Sequence, residues 1–196
     1  MSARAALAVA LAVVAAPGAG CSADGAQISM SFARATLYDA PFPSDDLRRA
    51  DGTVDVSKVP NPSHIDFIDQ ALALIARDAR GFALAGAVFF RADAPLDPAT
   101  LPDVAASVSD GASVFLVGID AAQPDFLRRV PIDVAFSADG GPFGDRDLLA
   151  LLPVQGIPLR PHTRYAAVVT RKVRDARHHA LARSPSMIAL ASGRPP

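Results

Sequence analysis

Apolar and polar positions follow two different rhythms in this chain. Over residues 64–80, Ile65, Ile68, Leu72, Ile75 and Ala79 recur at spacings of three and four, which predicts a helix with a single buried stripe. Ser63 stands as its N-cap, Asp66 takes the capping-box position, and Gly81 is placed to end it. After Gly81 the period shortens. Residues 86–91 (GAVFFR), 113–119 (SVFLVGI), 130–136 (VPIDVAF), 148–152 (LLALL) and 165–173 (YAAVVTRKV) are short apolar segments between Pro, Gly and Asp clusters, the signature of strands. Val130, Ile132, Val134 and Phe136 alternate with Pro131, Asp133 and Ala135. This pattern predicts a half-buried strand, which Pro131 assigns to an edge or a bulge. Strands separated by turns, without regular intervening helices, favour an antiparallel sandwich over a doubly wound sheet.

Before the helix the pattern is weak. Residues 21–36 are small and polar and are expected to form a tether. Residues 39–62 carry four prolines and five aspartates, which predicts extended chain and turns. Asp51-Gly52 reads as a tight turn leading into a short strand over 53–56. At the C-terminus, Ser184 and Pro185 open a short helix over 184–192 that carries Met187, Ile188 and Leu190.

The longest apolar run, residues 5–16, lies at the other end. It is preceded by Arg4 and followed by Pro17, Gly18 and the small pair Ala19-Gly20. Charge, a short apolar stretch and a small-residue cleavage site make a secretory signal over residues 1–20, and the run is too short to span a bilayer. The next residue, Cys21, is the chain's one cysteine. Gly18-Ala19-Gly20-Cys21 resembles the lipobox of bacterial lipoproteins, although that family prefers Leu or Val where Gly18 stands. The resemblance implies lipid attachment at Cys21 and an exported protein of the cell envelope, held at the outer membrane. Ordinary cleavage nearby, leaving a spare thiol, is the alternative.

Composition narrows the chemistry. A formal net charge of −1 gives no basic excess for nucleic-acid phosphates. One cysteine allows neither an internal disulfide nor a cysteine-based zinc site. All 20 acidic residues are aspartate, and only Lys58 and Lys172 among the 19 basic residues are lysine. Aspartate favours caps and turns over helix interiors, in keeping with 17 prolines.

No catalytic, cofactor-binding or metal residue is assigned. Gly111-Ala-Ser113-Val-Phe115 lacks the second glycine of a nucleophile elbow, and Ser113 opens a strand. None of His64, His162, His178 and His179 has a neighbourhood suggesting an orienting carboxylate. His178-His179 lacks metal-ligand spacing. The 139–147 loop, with Asp139, Asp145 and Asp147, could offer oxygens to calcium or could simply be a turn. Asp45-Asp46 reads as the cap of a turn beginning at Ser44.

Three phrases carry a family resemblance. Asp39-Ala-Pro-Phe-Pro-Ser-Asp-Asp46 followed by Asp51-Gly-Thr53 resembles the opening of the N-terminal domain of bacterial lipase-like surface lipoproteins. Ala94-Pro-Leu-Asp-Pro-Ala-Thr-Leu101 resembles a turn of bacterial Ig-like domains. Ile157-Pro-Leu-Arg-Pro-His-Thr-Arg-Tyr165, with the strand after it and Val173-Arg-Asp175, resembles the hallmark of those domains. The resemblance implies a mainly β fold: an Ig-like antiparallel β-sandwich over 63–196 with one preceding α-helix and a short C-terminal helix, lacking its last strand. Tyr165 would bury its ring and give its hydroxyl a backbone partner. In function it implies a non-catalytic module, for surface interaction or as the accessory domain of a hydrolase. The partners implied are a membrane, through the lipid on Cys21, and a protein or a downstream hydrolase domain; no ligand is readable. The alternative is an esterase or lipase-type hydrolase whose catalytic part lies elsewhere or is unrecognised.

Overall fold

In the computed structural model, residues 25–194 are described. The expected signal segment and Cys21 therefore lie outside the described residues. Strand exceeds helix, and the strands form two antiparallel three-stranded sheets. One has the order β1-β5-β4, from Val88–Arg91, Arg146–Pro153 and Ile132–Asp139; the other has the order β3-β2-β6, from Arg129–Val130, Val114–Gly118 and Tyr165–Val169. Among the described residues three α-helices accompany them: α1 (Asp66–Asp78), α2 (Val104–Ser107) and α3 (Pro185–Ala191).

The two sheets share one apolar cluster. Phe90, Ile132, Leu149 and Leu151 enter it from the first sheet and Val114 and Leu116 from the second, with Val173 and Leu181 closing it. β5 explains why its sequence reads as continuous apolar residues rather than as an alternation. Leu149 and Leu151 face this shared cluster, whereas Leu148 faces a second one containing Leu37, Tyr38, Leu47 and Val54. A central strand buried on both faces has no polar side to show. The second cluster covers the outer face of the first sheet with the Pro- and Asp-rich segment.

Pro131 stands where the chain changes sheets. Arg129–Val130 pairs with β2, and from Ile132 onward the chain pairs with β5. Proline brings no amide to either ladder, and the Ile132 amide donates to Ser107 Oγ at 3.1 Å. Ser107 is fully buried and ends α2, whose N-cap Asp103 accepts from the Ala106 amide at 2.7 Å. The alternation through β4 matches the sequence expectation, with Ile132 buried and Asp133 exposed.

Four expectations need correction. Helix α1 forms, but its stripe is not buried: no residue of it is fully enclosed, Ile75 is 43% exposed and Phe67 78%. The outer face of the first sheet is already covered by the second cluster, so α1 is left to line a shallow cleft with Val56 and Val59. Ser63 does not cap it. Its N-cap is Ile65, without a side-chain cap bond; His64 before it takes a left-handed φ of 46°, and Asn61 braces the entry, its Oδ1 accepting from the Ile65 amide at 3.1 Å and its Nδ2 donating to Asp69 at 2.7 Å. Residues 53–56 form only an isolated bridge, Arg48 to Val54, in place of a strand. From Gly25 onward, the segment expected as a tether is docked: Ala26 is buried, Gln27 bridges to Ala182 and Ile28 to Ala92. By contrast, α3 follows its sequence signals, with Ser184 Oγ accepting from the Met187 amide and Pro185 in the first turn.

Candidate functional site

A polar concave region lies where the docked N-terminal segment meets the chain after β6. Gly25, Arg171, Arg174, His178, His179, Ala180 and Ala182 line a cavity of about 330 Å³. Beneath it Asp175, 1% exposed, organises a tight turn. Its Oδ1 accepts from the amides of Arg177 and His179, each at 2.9 Å. Its Oδ2 is buried without a hydrogen bond among the described residues and has His179 Nδ1 3.4 Å away. Burial works to raise the Asp175 carboxyl, but the two amides and His179 outweigh it and hold it below the usual carboxylate range. Across the turn, His178 Nδ1 lies 3.3 Å from Asp97 Oδ2. The sequence context suggests no orienting carboxylate for any of the four histidines, yet the fold brings one beside two of them. Asp97 is far from His178 in sequence, and Asp175 reaches His179 because the turn has a left-handed residue, His178, at φ 65°.

Ser113 is elsewhere engaged. Its hydroxyl donates to the Thr100 carbonyl at 2.7 Å, and its own carbonyl accepts from the Thr170 amide at 2.9 Å. It is a buried strand-opening serine with no histidine among its hydrogen-bond partners.

The aspartates of the 139–147 loop are not gathered into a metal site. Asp139 Oδ1 accepts from the Gly141 amide at 2.9 Å, and Asp145 Oδ2 lies 3.1 Å from Arg91 Nη1. Among the described residues no three His, Cys or acidic side chains come together as a metal set. Arg91 also holds Asp39 at 2.7 Å, so it ties this loop and the N-terminal segment to β1.

Sequence reasoning missed Arg34. Its side chain is 5% exposed and its Nε lies 2.7 Å from Asp46 Oδ2. Nη1 donates to the carbonyls of Leu37 and, at 2.9 Å, Ala40; Nη2 donates to the Pro41 carbonyl at 2.6 Å and to Ser44 Oγ at 2.7 Å. Asp46 was expected to cap its own turn, and it is instead the counterion of this arginine. One lone Arg in a small, polar stretch gives no periodic signal. The available hint was the acidic pair twelve residues on.

Tyr165 opens β6 half-buried rather than buried, and its hydroxyl has a backbone partner of the kind the resemblance implies. It accepts from the Arg160 amide at 3.0 Å and donates to Asp125 Oδ2 at 3.3 Å. Arg160 Nε closes the group, 3.0 Å from the same carboxylate oxygen. Burial, then the Asp125 charge, pushes the Tyr165 hydroxyl above its usual range. Among the described residues no helix is long and apolar enough to cross a membrane. No protein-family model, curated protein or solved structure matches this chain.

Proposed function

We propose that the chain is a non-catalytic module of a cell-envelope lipoprotein, with an Ig-like β-sandwich held to the membrane through an acylated Cys21. It serves in surface interaction or as the accessory domain of a hydrolase. The observation that carries this reading is the Tyr165 latch. A tyrosine at the start of a strand, its hydroxyl bonded to an amide five residues upstream, is the corner device of Ig-like sandwiches. It falls within the stretch whose sequence resembles the hallmark of bacterial Ig-like domains. The engagement of Ser113 Oγ by the Thr100 carbonyl supports the non-catalytic part.

Labelled fatty acid supplied to expressing cells tests the anchor. It should enter the wild-type chain and not Cys21→Ser, which should be released or stall in processing. Equal labelling of both would remove lipidation from the proposal.

One observation favours the hydrolase alternative: His179 has a buried carboxylate beside its Nδ1, the orienting half of a catalytic pair. Purified chain should not hydrolyse short acyl esters. Hydrolysis that is lost in both Ser113→Ala and His179→Ala would replace the proposed reading with an enzyme.

A further inference from the structure

The loop 171–183 is basic out of proportion to the chain. Five of its thirteen residues are Arg or Lys against one acidic residue, in a protein whose net charge is −1. The single acid, Asp175, is buried under the turn, whereas Arg171, Lys172, Arg174, Arg177 and Arg183 are all exposed. Several of these cations are pinned by neutral carbonyls. Arg171 Nε donates to the Leu181 carbonyl at 3.0 Å, Arg174 Nη1 to the His178 carbonyl at 2.7 Å and Lys172 Nζ to the Gly111 carbonyl at 2.9 Å. Such bonds fix the side chains without cancelling their charge. Among the described residues, Arg171, Lys172, Arg174 and Arg183 make no ion pair; of the loop's Arg and Lys side chains only Arg177 lies near a carboxylate, Asp175 at 3.9 Å. Asp97, which faces His178, is the acidic group opposite.

The same loop receives the incoming N-terminal chain. Gly25 is buried against it so closely that a Cβ there would lie 2.3 Å from the Ala180 carbonyl oxygen. The Ala182 amide then donates to the Ala26 carbonyl at 3.0 Å, and Gln27 pairs with Ala182. The described fold therefore begins, at Gly25, on the basic loop. Cys21 is four residues before Gly25, so an anchor there holds the membrane surface within about 14 Å of this loop, at roughly 3.5 Å per extended residue.

We propose that the loop 171–183 is a membrane-facing surface that binds the anionic phospholipid headgroups around the anchor. The inference rests on the anchored reading given above and deepens it by assigning the surface that faces the bilayer. A polybasic patch beside a lipid anchor adds electrostatic attraction to anionic lipids to the hold of the acyl chains. It also fixes the orientation of the module, directing the opposite end of the fold outward.

The test uses the full chain, purified in detergent and reconstituted into vesicles of phosphatidylcholine alone or of phosphatidylcholine with phosphatidylglycerol. Modification of arginines by phenylglyoxal is then read residue by residue by mass spectrometry. In anionic vesicles Arg171, Arg174 and Arg183 should be modified roughly fivefold more slowly, in line with the attraction of one basic residue to such a surface. High salt should restore the rate, and Arg77 on the exposed helix α1 should not change. Equal rates in the two vesicle types would overturn the proposal, as would slowing at Arg77 by the same factor. Slowing by inorganic phosphate in neutral vesicles, at matched ionic strength, would also overturn it in favour of a free-anion site. The mass of the N-terminal fragment in the same samples reports acylation at Cys21. Loss of the anchor and loss of headgroup contact are thus read separately.

Discussion

The Arg34 guanidinium meets the Asp46 carboxylate on two sides, Nε at 2.7 Å from one oxygen and Nη2 at 3.1 Å from the other. The remaining donors take the carbonyls of Leu37, Ala40 and Pro41. One side chain thus satisfies the backbone of a segment that has no ladder of its own. That segment carries Leu37, Tyr38 and Leu47 against the outer face of the first sheet. Arg34→Met should cost about 3–5 kcal/mol, the usual penalty for stranding one partner of a buried pair. Denaturant unfolding of the purified chain measures it. A loss below about 0.5 kcal/mol, the ordinary range for surface substitutions, would show that the pair is ornamental.

Acid should act through the same carboxylates. Burial works to raise Asp46, but bonds from Arg34 and Ser44 hold it below its ordinary 3.8. Asp39 is held low against burial in the same way, by the Thr36 and Ala35 amides and Arg91. A carboxylate depressed in the folded state contributes stability above its unfolded pKa and loses it as pH falls through the folded value. The thermal midpoint should therefore change little between neutral pH and the onset of carboxylate titration, and fall steeply below that. Asp46→Asn should start lower at neutral pH and decline less steeply. Parallel curves for the two proteins would contradict the assignment.

Tyr165 and Asp125 connect the turn before β6 with the loop after β2. Tyr165→Phe removes one bond to the Arg160 amide and one to Asp125 while leaving the ring in place. The expected loss is about 1 kcal/mol, because the freed groups at the rim regain water. Urea unfolding checks it, and an unchanged midpoint would deprive the Ig-like reading of its carrying observation.

Gly118 ends β2 where the following loop folds back on the strand. A Cβ there would lie 2.3 Å from the Asp125 carbonyl oxygen, and the Leu127 amide donates to the Gly118 carbonyl at 2.9 Å. Gly118→Ala must push backbone away from backbone, at a cost of about 1–3 kcal/mol. Gly111→Ala, where the nearest atom is a serine hydroxyl at 3.9 Å, should be nearly neutral. Equal effects of the two substitutions would count against the close approach.

The elements that sequence periodicity resolves are those whose side chains decide their surroundings. β2, β4 and β5 show their burial in the order of their residues, and α3 shows its cap and its proline. Pro131 signals an interruption, but only the structure reveals that the strand changes sheets there, since that depends on Ser107 taking the Ile132 amide. Helix α1 has the stripe of a buried helix and yet stays largely uncovered. Amphipathicity reports what a helix could bury and not whether a face is free to receive it. The basic loop was visible in sequence as an arginine-rich stretch. Its importance was not, because the docking of Gly25 on Ala180 is a contact between residues with no shared pattern. The Asp97–His178 pair was hidden for the same reason.

β6 lies at the edge of its sheet among the described residues. The Thr170 amide bonds to the Ser113 carbonyl and the Ile119 amide to the Arg164 carbonyl, so the even-numbered positions of the strand face β2 and the backbone groups of Tyr165, Ala167 and Val169 face outward. Those three side chains pack on the shared core, whereas Val168 projects to the opposite face of the sheet. An open, apolar edge of this kind pairs readily with a second chain. The purified chain should therefore self-associate as its concentration rises, as read by sedimentation velocity. Val168→Lys should suppress the association with a stability change of less than about 1 kcal/mol, because a charge on an edge strand blocks pairing without entering the core. Ala167→Lys should instead unfold the module, since it drives an ammonium toward Val114 and Leu116. A wild-type chain that stays monomeric at all concentrations would show that the β6 edge is protected despite its open backbone groups.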